Sequence, residues 1–150
     1  MTVPTDPKRP PVAYDEAKSL AADPDPARRA ELALLPQTPP ELLYYLADDD
    51  DPMVRRAVAY RDETPLQAAP RLARDQDIDV RVLLSRKLAR ALPHLTGDER
   101  HAIRDIAHHA LTMLAADQVV RVRAALAGAL RDAASAPPTL VAQGLSLIHI

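Results

Sequence analysis

The sequence predicts an all-α chain, a right-handed α-solenoid of stacked helical pairs, and three observations carry that expectation. A block opening Leu-Ala-x-Asp recurs at Leu20, Leu46, Leu72 and Leu114, closing on Asp23, Asp49, Asp75 and Asp117. The leading leucines stand 26, 26 and 42 residues apart, and a recurring period of this size marks units that bury a face only against their neighbours. Apolar residues return to fixed offsets: Val54, Val80 and Val122 follow the leading Leu by eight residues, and Leu32, Val58, Leu84 and Leu126 by twelve. The chain holds 15 Pro and only 3 Gly, with no Phe and no Trp. The prolines gather at block edges, where they start or stop helices. The core must come from Leu, Ala, Val and Ile, which suit helices packed at close range.

Taken in order, residues 1–11 hold four prolines and little apolar content, and read as a disordered lead-in. A repeat array is expected over 12–144, opening with a helix that spaces Tyr14, Ala17, Leu20 and Ala21 along one face. Arg28 stands where later blocks place Val, as expected of a capping first unit. Thr38-Pro39 and Thr64-Pro65 read as helix caps followed by proline, and Leu42, Leu43 and Leu46 give a short apolar face. Residues 48–52 form an acidic turn, with Asp51 as cap and Pro52 in the first helical position. Pro70 falls inside the next short segment, which should be kinked or 3₁₀-like.

From about residue 79 the helices lengthen. Val80, Leu83, Leu84, Leu88 and Ala91 form one apolar stripe, closed by Pro93. Thr96 or Asp98 offers a cap for a further helix, whose Ile103, Ile106, Ala107, Ala110, Leu111 and Leu114 give the strongest helical periodicity in the chain. Val122, Ala125, Leu126, Ala129 and Leu130 make the last.

Composition narrows function by exclusion. A net charge of −2 gives no global attraction to nucleic acid or anionic lipid. With no cysteine, disulfides, thiolate metal sites and cysteine nucleophiles are excluded together. No apolar run approaches a membrane span, and no apolar stretch follows Lys8 and Arg9 as a secretory signal requires. A cytoplasmic, non-catalytic protein without cofactor or metal is the expectation. The few serines lie in no nucleophile elbow, and no glycine-rich phosphate loop is present.

Residues 46–59 together with Thr64-Pro65 resemble the leucine-rich repeat variant, a HEAT-related helical repeat. Residues 72–143, with Asp75, Val80-Arg81, the run at 122–127 and the segment 136–142, are similar to a bacterial family of HEAT-like repeats of unknown function. The resemblance implies an armadillo-type helical fold and no particular activity. Some leucine-rich variant proteins carry an iron–sulfur cluster on an appended cysteine segment, a property that does not transfer to a chain without cysteine. Residues 145–150, Leu-Ser-Leu-Ile-His-Ile, fit no column. They match one reading frame of a transposon end used in DNA library preparation, so a non-native tail on a truncated array is expected.

The candidate site residues follow from the columns. Asp23, Asp49, Asp75 and Asp117 sit in turns, and Arg29, Arg55, Arg81 and Arg123 in the helical turns that follow. An Asp of one unit bonding Arg or backbone amides of the next would form a structural ladder; the alternative is an anion-binding row of Arg. Tyr44, Tyr60, Arg86, Lys87 and Arg90 are candidates for an interaction surface toward an unidentified protein partner lying along successive second helices. The segment 79–131 carries nine basic and five acidic residues, so nucleic-acid binding is the alternative, disfavoured by the small excess and the lack of stacking aromatics. His101, Asp105 and His108 share a helix face that suits a divalent metal or, more simply, solvent. The run Asp48 to Asp51 lacks the spacing of a calcium loop.

Overall fold

Asp and Pro residues at the block edges set where the helices begin. The computed structural model describes residues 13–95, 97 and 101–135. Among them are eight α-helices and no strand: α1 (Tyr14–Ala21), α2 (Pro26–Leu34), α3 (Pro40–Leu46), α4 (Pro52–Tyr60), α5 (Ala69–Ala73), α6 (Ile78–Ala91), α7 (His101–Ala115) and α8 (Val120–Ser135). The carboxylates of Asp25, Asp51 and Asp77 accept the amides of Ala27, Met53 and Val80, and so cap α2, α4 and α6. Pro26 and Pro52 follow in the first turn, where a missing N–H costs nothing. Pro70 divides its segment into a 3₁₀ turn, Leu66–Ala68, and the short α5.

Thr38 and Thr64 do not cap the helices that follow them, contrary to the sequence reading. Pro39 and Pro65 occupy the cap positions, and no side chain bonds there. The buried Thr38 and Thr64 hydroxyls donate backward to the carbonyls of Leu32 and Val58. Each of these carbonyls also accepts the amide of the residue that ends its helix, Leu35 or Arg61, so the hydroxyl is a second donor at the helix end. The proposed caps Thr96 and Asp98 lie outside the described residues, as do the lead-in at 1–11 and the tail at 145–150.

The even-numbered helices pack in succession, α2 on α4, α4 on α6 and α6 on α8. The odd-numbered helices lie against them and against one another, α1 on α3 and α5 on α7. The core runs along this double layer. Leu46, Leu72 and Leu114 are buried, as are Val54, Val80 and Val122, and Leu32, Val58, Leu84 and Leu126. On α6 the buried set is broader than one stripe. Val82, Ser85, Lys87 and Ala89 are buried with Val80, Leu84 and Leu88, whereas Leu83 and Ala91 are half-buried. The helix lies between α4 and α8 and also touches α5 and α7, so most of its circumference is covered. Among the described residues no helix is long and apolar enough to cross a membrane.

Leu84 is 1% exposed and Leu34 49%. Leu84→Ala should lower the unfolding free energy by about 2–5 kcal/mol, and Leu34→Ala by less than about 0.5 kcal/mol, read from urea denaturation. Equal effects would contradict this burial pattern.

Candidate functional site: an arginine–aspartate ladder and the surface beside it

Each block's Asp first shapes its own turn. Oδ1 of Asp23, Asp49, Asp75 and Asp117 accepts the amide two residues on, at 2.8–3.0 Å. That bond closes an Asx turn and orients the second carboxylate oxygen outward. Six residues later, in the first helical turns, comes the Arg. Nη1 of Arg29, Arg55 and Arg81 donates to the carbonyl of its own block's Asp at 2.6 Å. Arg123 makes the same bond to Asp117.

The remaining guanidinium edge reaches the following block. Arg29 Nε and Nη2 donate to Asp49 Oδ2 and Oδ1 at 2.8 and 3.0 Å. Arg55 grips Asp75 at 2.7 and 3.2 Å, and Arg81 grips Asp117 at 2.7 and 3.3 Å. These are bidentate, charge-assisted pairs. The Arg reaches forward to the next block's Asp, the reverse of the sense read from the sequence. The Asp precedes the helix and its oxygen faces the block behind, whereas the Arg side chain has the length to span the gap. Burial pushes the Asp117 carboxyl up, but the bonds from Arg81 and the Val119 amide, with Arg123 nearby, outweigh it and hold the group below the ordinary range. Asp23 has no Arg from a preceding block among the described residues. It takes the Asp25 amide, which is the main cause of its lowered pKa, and a single contact from Arg28 at 3.3 Å.

A second set of cations acts at helix C-termini. Arg61 is buried just past α4, and its Nη1 donates to the Ala33 carbonyl at 2.8 Å and to that of Leu35, while Nε pairs with Glu63 at 2.9 Å. Lys87 stands 26 residues later, in the same column. Its Nζ donates to the Thr64 carbonyl. Lys87 was a candidate for the interaction surface, and the structure removes it: the residue is 2% exposed. It occupies the position from which Arg61 reaches back to the preceding turn, so its amine points inward. Burial pulls the Lys87 pKa down to about 8, reinforced by Arg90 and Arg61 and opposed by Asp62 and Glu63. No sequence pattern singled out Arg61; the signal available was the shared column of Leu35, Arg61 and Lys87.

The other surface candidates are exposed. Tyr44 and Tyr60 are half or more accessible, and Tyr45, which the sequence reading passed over, is 61% exposed. Leu42, Leu43 and Leu46 turn inward on α3 and leave both Tyr44 and Tyr45 outward. They line an open groove of about 670 Å³ with Pro24, Asp48 and Asp50. Arg86 and Arg90 line a second depression, of about 560 Å³, against Ala125, Gly128 and Asp132 of α8.

Part of the basic complement of segment 79–131 is engaged within the fold. Arg81 and Arg121 pair with Asp117 and Asp79, Arg90 pairs with Asp62, and Lys87 is buried. Arg86, Arg123 and Arg131 remain exposed, and Arg100 lies outside the described residues. Arg56, on α4, forks onto Asp77 at 2.7 and 2.9 Å, which holds the Asp77 carboxyl low. His101, Asp105 and His108 are exposed on α7, with the His101 ring 3.1 Å from Arg104 Nη2. Among the described residues no group of three or more His, Cys, Asp or Glu is placed to hold a metal ion.

Compared with protein-family models, curated proteins and solved structures, the chain matches none.

Asp75 is 1% exposed in its pair with Arg55, whereas both partners of Arg90–Asp62 are half or more exposed. Asp75→Ala should cost about 3–5 kcal/mol and Asp62→Ala about 0–1 kcal/mol in chemical denaturation. The folded pKa of Lys87 lies below its unfolded value of 10.5, so between about pH 8 and 10.5 the unfolded chain binds more protons and stability rises with pH. The rise from Lys87 is about 3 kcal/mol at most. Urea melts across this window should show it in the wild type and lose it in Lys87→Met.

Proposed function

We propose that the chain is a stretch of a HEAT-like right-handed α-solenoid, of the leucine-rich variant kind, serving as a non-catalytic cytoplasmic scaffold for a protein partner. The observation that carries this reading is a row of outward side chains on successive even helices. Leu34 on α2, Tyr60 on α4 and Arg86 on α6 share one column, 26 residues apart, and all three are exposed. Met53, 47% exposed, adds to the same helix as Tyr60. Tyr and Arg are the side-chain types most enriched among residues that anchor protein partners, and Met is enriched at interfaces. Ion pairs between the starts of consecutive even helices hold those helices in register, which favours a pre-organised row for an extended partner.

Nucleic acid fits this row less well. Its first three large side chains are uncharged, and the groove that holds Tyr44 and Tyr45 is edged by Asp48 and Asp50, which repel phosphate.

The test is affinity capture from lysate of the source cell with three baits. The wild type and Tyr44→Ala/Tyr45→Ala should recover one stoichiometric protein. Leu34→Ala/Tyr60→Ala should lose it at least about tenfold. Recovery of nucleic acid in place of protein, or loss with the α3 variant alone, would overturn the reading.

A further inference from the structure

The ion-pair ladder has two unmatched ends among the described residues. Arg123 already donates to the Asp117 carbonyl, as Arg29, Arg55 and Arg81 do to theirs, yet no following Asp receives its outer edge. Asp23 is folded into the same Asx turn as the other three, yet no preceding Arg forks onto it. Its side chain is 17% exposed, against 8%, 1% and 9% for Asp49, Asp75 and Asp117.

The helix face beside Arg123 is unmatched as well. Ala33, Ala59, Ser85 and Ala127 occupy one column. The first three are fully buried, on α2, α4 and α6, each of which carries the next even helix. Ala127, on α8, is exposed, as is Ala124, the counterpart of the buried Val82. A small residue here lets an incoming helix approach closely, and on α8 no helix among the described residues has arrived.

We propose that this face receives α2 of a second copy of the chain, so that Arg123 of one copy forks onto Asp23 of the next and the molecules stack head to tail. Three internal junctions define what docks on such a face: a helix entered through an Asp turn. Among the described helices entered that way, α2 is the one whose Asp lacks a guanidinium from behind. The charges beside the pair also suit a polar, reversible contact. The face of α8 carries Arg131, and α2 carries Arg28 and Glu31 where α4 has the buried Val54 and Ala57. A heterologous contact of this kind does not close on itself and gives open, concentration-dependent chains. It is independent of the partner row, since Leu34, Tyr60 and Arg86 are not part of it.

Sedimentation velocity on the full chain, at concentrations up to about 1 mM, tests the proposal. The wild type should show mass rising with concentration. Arg123→Asp and Asp23→Arg should each sediment as monomers, with association weakened at least about tenfold. A 1:1 mixture of the two should associate again, because each junction then joins one Arg to one Asp. Ala127→Arg alters an exposed position, so helix content by circular dichroism should be kept while association is lost. A wild type that stays monomeric at every concentration would overturn the proposal. So would association that persists in Ala127→Arg, or a mixture that remains monomeric although both variants are folded.

Discussion

The grip of an arginine on the aspartate turn of the following block is the contact that sets the spacing of the structure. The guanidinium bonds its own block's carbonyl on one side and forks onto the next block's carboxylate on the other. Two helices are thereby held at one separation and one register. Buried ions are tolerated only when their bonding capacity is filled, and here it is. Asp75 receives the Asp77 amide and Arg55, with Arg71 adding a contact at 3.4 Å. The same geometry survives a change of loop length. Arg29 and Arg55 lie 20 residues from their partners and Arg81 lies 36 from its own, yet the Nε–Oδ2 distances are 2.7–2.8 Å in all three.

That grip matters because the helices it joins are weak alone. α1 to α5 run five to nine residues, well short of the length at which an isolated helix persists in water. Without Phe or Trp, each buried side chain adds a modest area. Terminal bonding supplies what length does not. Asp carboxylates cap the starts of α2, α4 and α6, Thr hydroxyls donate to carbonyls at the ends of α2 and α4, and Arg61 and Lys87 reach carbonyls at or beyond those ends. In each role a polar side chain adds a bond at a helix end or turn, where the backbone lacks its full set of helical partners.

These internal demands decide which charges face outward. Of the basic residues that make segment 79–131 look cationic, Arg81, Arg90, Arg121 and Lys87 are engaged with carboxylates or a carbonyl of the chain itself. Arg86, Arg123 and Arg131 stay exposed, as do apolar side chains such as Leu34, Met53 and Tyr60. A composition count sums all charges alike, but only those left unpaired at the surface act on a partner.

The sequence by itself determined the all-helical class, the apolar columns through Val54, Val80 and Val122, the Asp51 cap with Pro52, the broken segment at Pro70 and the residues of the Asp and Arg columns. These are local or strictly periodic properties, and a linear string records both. It did not determine which way Arg29 reaches, that Thr38 and Thr64 bond backward, that Lys87 is buried, or that Tyr45 is as exposed as Tyr44. Those depend on what lies across the gap between helices. A column states that positions are equivalent, but the neighbour that covers one side of a helix and leaves the other open is set by packing. Lys87 shows the difference most plainly: its residue type argues for solvent, and only the turn at Thr64, 23 residues away in the chain, draws its amine inside.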